Sequence, residues 1–300
     1  MSCEAVAAKV DLPLRVGART LARIRRRLVR ISIPLDRALA ETHVALPGLP
    51  PRADGYYLRA VPAQRAGRIA ADTGMRCFVR QAYPRHYADL SLGFDAYLAT
   101  FSAKSRSGLK RKARKLEERS GGALDVRCYR SPAEVATFYA AARALSALTY
   151  QERLLDAGLP EGALPQMREL AGEDQLRAFL LFVDGRPISY LYAPADRGTL
   201  RYAYLGYDPA FADLSPGTVL QLEAMRMLMA EARFRWFDFT EGDGQHKRQF
   251  ATGAIDSVDL LLLRPTLGNL AAARTLAAWD GAIAFAKRAG LKSIAGPLRR

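Results

Sequence analysis

Two largely apolar runs, "AFLLFV" (178–183) and "PISYLYA" (187–193), flank Asp184–Gly185, and this arrangement constrains the fold more than any other feature of the 300 residues. Asp-Gly supplies the positive backbone angles of a tight hairpin turn, so the two runs become neighbouring antiparallel strands. "ALDVRCY" (123–129) upstream reads as a strand. Ser131-Pro132 with Glu134 then opens a helix carrying Val135, Phe138, Tyr139, Ala142 and Leu145 on one face. Downstream, "TLRYAYLGY" is a third strand, "SPGTVLQLEAMRMLMAEARF" an amphipathic helix, "RWFDF" a strand and "SVDLLLL" (257–263) the last strand. A long C-terminal helix follows from about Leu267. From Ala123 the order is strand, helix, helix, three strands, helix, strand, short helix, strand, which defines an α/β chain.

The first 122 residues are organised differently. "ARTLARIRRRLVRI" reads as a basic helix within an N-terminal segment, 1–52, and "LPGLPPRADG" (46–55) as a linker. Strand-like runs follow at 56–61, 75–83 and 86–90, then a helix from "FDAYLATF" and a basic helix from Ser102 to Arg119, stopped by Gly121–Gly122. These set expected boundaries of 53–122 for an N-terminal α/β subdomain, 123–265 for the principal domain and 266–300 for the C-terminal helix.

The net charge of +15 is local. Residues 15–30 hold seven arginines and no acid, and residues 104–119 hold eight cations against Glu117 and Glu118. Such segments suit a polyanion, an acidic membrane surface or a phosphate-bearing small molecule; a solvated face is the plainer reading. Cys3, Cys77 and Cys128 form no CxxC pair, and His43, His86 and His246 have no metal-ligand spacing, so no metal is expected. No apolar run reaches the ~18–20 residues that span a bilayer, and the N-terminus lacks the apolar core of a signal peptide. A cytoplasmic protein is expected, with peripheral membrane contact through the arginines left open. GxxxxGK[ST] is absent and no GxGxxG follows a strand, which argues against a P-loop ATPase and a dinucleotide-binding site.

"FDFTEGDGQHKRQF" (237–250) gathers acids, glycines and cations at the end of a strand. Acyl transfer to an amine or hydroxyl needs a base for the nucleophile and positive charge where an oxyanion forms. Glu241 and Asp243 are candidates to orient or deprotonate an acceptor, His246 to carry a proton, and Lys247 to stabilise the oxyanion. A surface position for His246 and a salt bridge from Lys247 to Glu241 or Asp243 stand beside these roles. Ser215, Gly217 and Thr218 open a helix after a strand, where free backbone N–H groups and the helix dipole favour a phosphate. An ordinary Ser-Pro helix start uses the same residues.

The element order and "YDPAFADLSPGTVLQLEAM" followed by "FDFTEGDGQHKRQF" resemble the GNAT acyltransferase superfamily. Within it, the chain resembles the cellulose-biosynthesis-type (CelD/BcsL-like) branch, which is related to Fem-type aminoacyltransferases. Asp208, Pro209, Ser215, Pro216, Gly217, Asp238, Phe239, Gly242, Asp243 and Lys247 carry the likeness, which covers roughly residues 90–264. It implies a GNAT fold, a central mixed, mostly antiparallel sheet flanked by helices, with the strands at 56–90 as a shortened N-terminal GNAT-like half. It also implies transfer of an acyl group from acyl-CoA to an amine or hydroxyl of a small metabolite or a sugar-type polysaccharide precursor. The strand holding Tyr204, Leu205 and Gly206 would pair with the donor's pantetheine arm, and Tyr150 and Gln151 would wall the acceptor site. One departure stands out. The superfamily's [RQ]-x-x-G-x-[GA] reads "ADLSPGTV" here, and only Gly217 survives. That leaves room for an acyl carrier protein or for aminoacyl-tRNA bound by the basic segments. A basic nucleic-acid- or membrane-binding protein on the same scaffold is a third reading.

Overall fold

A computed structural model describes residues 6–16, 19–40, 45–148 and 158–288. The chain forms two compact units, one running to Pro84 and resuming at Ile255, the other spanning Arg85–Ala254. Residues 53–122, expected as one subdomain, are therefore divided between them.

In the first unit, β1 (Ala8–Val16) pairs antiparallel with β2 (Arg19–Ser32), from Ala8 opposite Leu28 to Val16 opposite Arg19. The basic segment expected as a helix is thus a strand. Leu21, Ile24, Leu28 and Ile31 recur at helical spacing, which imitates an amphipathic stripe. Leu21 is nevertheless 62% exposed, so no such stripe is buried. Pairing on both sides, with β1 and in parallel with β3 (Gly55–Pro62), overrides the local pattern. Arg23 and Arg25 meet Asp11 across the hairpin. α1 (Leu35–Leu39) and α2 (Ala66–Thr73) lie between the strands in sequence. β4 (Arg76–Asp89) replaces the two expected strands and passes through Pro84, whose fixed φ is compatible with extended backbone. β11 (Gly253–Leu263) pairs with β3, and the C-terminal helix (Leu267–Arg288) follows it. Leu28, Leu58, Val61, Leu260 and Leu262 are buried here.

The second unit is three layers. Its strand order, from the end of β4, is β4-β10-β8-β7-β6-β5. These strands are β5 (Asp125–Tyr129), β6 (Leu176–Val183), β7 (Arg186–Asp196), β8 (Thr199–Arg201) and β10 (Trp236–Asp238); β9 (Tyr204–Tyr207) pairs with β7. The pairs are antiparallel except β8 with β10. One face is covered by α3 (Phe94–Ala99), α4 (Ala103–Arg119) and α7 (Pro216–Glu231), around Phe179, Leu191, Phe237 and Leu220. The other is covered by α5 (Glu134–Leu148) and α6 (Leu164–Gly172), around Phe138, Met167 and Tyr192.

Both expected helix starts have their caps. Ser102 Oγ accepts from Ser105 N at the head of α4, and Leu109 and Leu116 are the helix's buried residues. Before α5, Glu134 accepts from Ser131 N at 2.9 Å while Ser131 Oγ accepts from Glu134 N at 3.4 Å, a reciprocal capping box. A mixed, mostly antiparallel sheet between helices is the GNAT arrangement.

Candidate active site

The expected third strand is broken in two, and the break shapes the site. Leu200 sits opposite Ala195, but Tyr204 sits opposite Tyr192, so three steps along β7 face four along its partner. The extra residue is a β-bulge, which reverses the in–out alternation beyond it. Tyr202 and Tyr204, two positions apart, therefore point to opposite faces rather than to one. Tyr202 packs with Phe237 and Phe239, while Tyr204 stacks on Tyr192 on the α5 side.

The bulge also parts β9 from β10. β10 runs parallel to β8, and Tyr202 N still donates to Asp238 O at 2.8 Å. Beyond that bond β9 follows β7, and the chain after β10 enters the 239–244 loop. The gap holds a cavity of about 610 Å³. Of the six residues proposed from the sequence for donor binding, Leu205, Gly206, Ser215, Gly217 and Thr218 line it, and Tyr204 does not.

α7 closes one side. Pro209–Leu214 is a 3-10 turn headed by the buried Asp208, whose carboxylate accepts from Ala210 N. Ser215 follows in the left-handed region (φ 54°, ψ 47°) and makes no side-chain cap. Gly217 lies so close to β9 that a Cβ would come within 2.8 Å of Leu205 Cδ2. The start of α7, with its positive dipole end, thus forms a wall of the cavity.

α8 (Gln245–Phe250) brings His246 and Phe250 to the same cavity, with the His246 ring 5.7 Å from that of Tyr202. Burial, and then the neighbouring Lys247 charge, push the His246 pKa below its ordinary value, which favours the neutral ring. The other three loop candidates lie outside the cavity lining. Asp243 accepts from His86 Nε2 at 2.9 Å and pairs with Arg248 at 2.6 Å, and these two, in that order, hold its carboxyl below the usual range. Lys247 Nζ donates to the main-chain oxygen of Glu241, and burial lowers its pKa. Beneath the loop, Arg85 and Asp238 form a buried, two-pronged ion pair, and Asp238 Oδ1 also accepts from Thr240 N. Tyr150 and Gln151 lie outside the described residues.

Sequence reasoning gave no site role to Arg85, His86 or Gln221. Gln221 had a readable sign, a polar residue between Leu220 and Leu222, four positions after Gly217. His86 and Arg85 had none, because their partners lie more than 150 positions away. Among the described residues, no cluster of His, Cys, Asp and Glu suited to a metal ion occurs, and no helix is long and apolar enough to cross a membrane.

Comparison with known proteins agrees with this geometry. Residues 103–248 match the family described as "Acetyltransferase (GNAT) domain". No curated protein matches the chain. The solved structure of FemX is similar over 88% of this chain and 90% of its own, with a TM-score of 0.55 and 14% identity. The C-terminal domain of a putative lysylphosphatidylglycerol synthetase from Agrobacterium fabrum is similar over 73% and 71%, with a TM-score of 0.51 and 13% identity. At such identities the likeness is one of fold. The matched span contains α4, the bulged strand, the opening of α7 and the loop with His246, so residues 103–248 form a GNAT-type acetyltransferase domain and the chain is an acyltransferase.

Proposed function

We propose that this chain transfers an acyl group from a thioester donor, acyl-CoA, to an amine or hydroxyl of a small metabolite, with a sugar-type polysaccharide precursor as the acceptor class. The observation that carries this reading is the cavity between the parted strands, with the start of α7 in its wall. The exposed edge of β9 offers backbone groups to an extended arm, and the α7 terminus offers N–H groups to its phosphate. Gly217 leaves room for that approach.

In this reading His246, kept neutral, accepts the proton of the nucleophile as the latter attacks the thioester carbonyl carbon. It returns that proton to the sulfur as the carbon–sulfur bond breaks. Lys247 lies beside His246 and is tied to the Glu241 carbonyl, so it acts by lowering the histidine's proton affinity. Glu241 and Asp243 hold the loop in place. The free thiols of Cys77 and Cys128 accord with a reducing, cytoplasmic setting.

A second reading, an aminoacyl-tRNA donor, is favoured by one observation. Lys115 of the cationic α4 bonds to Asp213, on the turn whose residues Pro209 and Ala212 line the cavity, so a basic surface adjoins the site. Calorimetric titration with acetyl-CoA tests the first reading. Saturable heat is expected from the native chain, and its loss is expected in Gly217→Val, whose branched side chain pushes Leu205 into the cavity. A native chain that gives no heat with any acyl-CoA overturns the donor assignment.

A further inference from the structure

Gln221 is 2% exposed, and neither its Oε1 nor its Nε2 has a hydrogen-bond partner among the described residues. It is the one described side chain with two orphaned buried polar atoms; the others so placed have one each. It also lines the cavity. An amide left unpaired in an apolar wall is costly, and native chains keep few such groups without a reason. A reason is available here, since the wall that holds Gln221 is the wall of the candidate donor site.

Position narrows what the amide would meet. Gln221 lies four residues after Gly217 on α7, so both share one face and are separated by about one turn, ~5–6 Å along the axis. Gly217 faces Leu205 and Tyr207. A phosphate held at the start of α7 would therefore place Gln221 against the segment that follows it, a few bonds away. The chemistry narrows it further. Gln221 needs a donor for Oε1 and an acceptor for Nε2, presented side by side. A plain acetyl thioester has acceptors only. The segment next to the phosphate of a phosphopantetheine arm is an α-hydroxy amide, whose hydroxyl and carbonyl are adjacent.

We propose that Gln221 is a specificity-determining residue that reads the hydroxy-amide segment of a phosphopantetheine arm, with Oε1 accepting from its hydroxyl and Nε2 donating to its carbonyl. This rests on the donor reading above. The arm is common to coenzyme A and to acyl carrier proteins, and an aminoacyl-tRNA has no counterpart of it.

The test compares native chain and Gln221→Met, a near-isosteric change, by calorimetry with acetyl-CoA and with 4′-phosphopantetheine, and by thermal melting without ligand. About tenfold weaker binding of each ligand that the native chain binds is expected in the variant, the loss of one or two neutral hydrogen bonds. The unliganded variant should melt a few degrees higher, because two unpaired polar atoms have left the core. A residue needed only for packing would not move melting up and binding down together. Comparable native affinity for both ligands points to an arm read without its nucleotide, as on a carrier protein; a preference for acetyl-CoA points to coenzyme A. Equal binding by the variant and the native chain overturns the proposal while leaving the donor site intact. Failure of the native chain to bind either ligand overturns both.

Discussion

Replacing Asp238 by leucine should destabilise the second unit by more than any other single change near the site. Asp238 is 4% exposed and Arg85 6%. Arg85 Nε donates to both carboxylate oxygens at 3.2 Å and one terminal nitrogen donates to Oδ2 at 2.6 Å. The carboxylate also takes Thr240 N at 2.8 Å, which holds Thr240 at φ 63°, a backbone state that costs a branched residue energy. Removing one partner of such a pair leaves a guanidinium in a poorly hydrated place, at a cost of ~3–5 kcal/mol. At ~2–4 °C per kcal/mol for a chain of this size, the melting point should fall by roughly 6–20 °C.

The double change Arg85→Leu/Asp238→Leu should recover most of that loss, because the desolvation of both charges disappears with them. Urea unfolding of the two single variants, the double variant and the native chain closes a cycle, and the coupling should exceed ~2 kcal/mol in favour of the double variant. An Asp238→Leu chain within ~1 kcal/mol of native, or a double variant no more stable than the worse single one, would refute the assignment of the pair as an electrostatic anchor for the loop.

Two further outcomes follow from the charges around the cavity. The acid limb of the pH profile of kcat/KM should fall below the ordinary ~6.5 of histidine and move upward in Lys247→Met, since burial and then Lys247 disfavour protonation of His246; a limb unmoved by the substitution removes Lys247 from this role. In α4, Lys110 and Arg111 are exposed, whereas Lys115 is tied to Asp213 and Arg114 pairs with Glu118. Lys110→Gln/Arg111→Gln should therefore leave acetyl-CoA binding unchanged in calorimetry, and bulk tRNA should bind the native chain only weakly near physiological salt; saturable tRNA binding that the double variant loses would favour the aminoacyl-tRNA donor.

Sequence reasoning reached what local signals encode. The Asp184–Gly185 turn and the helix starts at Ser102 and at Ser131–Glu134 each involve residues within a few positions of one another, and each appears in the structure. The α7 opening and His246, which line the cavity, were singled out for the same reason. What escaped depends on distant partners. The Arg-rich segment became β2 because β1 and β3 supply its backbone bonds, and no propensity within it announces either partner. The bulge between β8 and β9 is a mismatch of count against β7, invisible in "TLRYAYLGY" taken alone. Because of it, Tyr202 lines the cavity and Tyr204 does not.

The costs in this unit also have a place. Several left-handed non-glycine residues sit at turns and helix ends where a short chain reversal needs them, such as Asp184 in the hairpin and Ala232 after α7. Ser215 and Thr240 differ, because one starts the helix that walls the cavity and the other starts the loop that delivers His246. Gln221, with its two unpaired atoms, lies between these in sequence and in the same wall. A sheet edge opened by a bulge, two strained hinges beside it and an unpaired amide inside it are each unfavourable for the empty chain. Their coincidence at one cavity is the pattern expected when stability is given up to keep a binding surface formed in advance of its ligand. Filling that cavity should then raise the stability of the unit by more than the ligand's contacts with the apolar wall alone would supply, since it also supplies the missing partners.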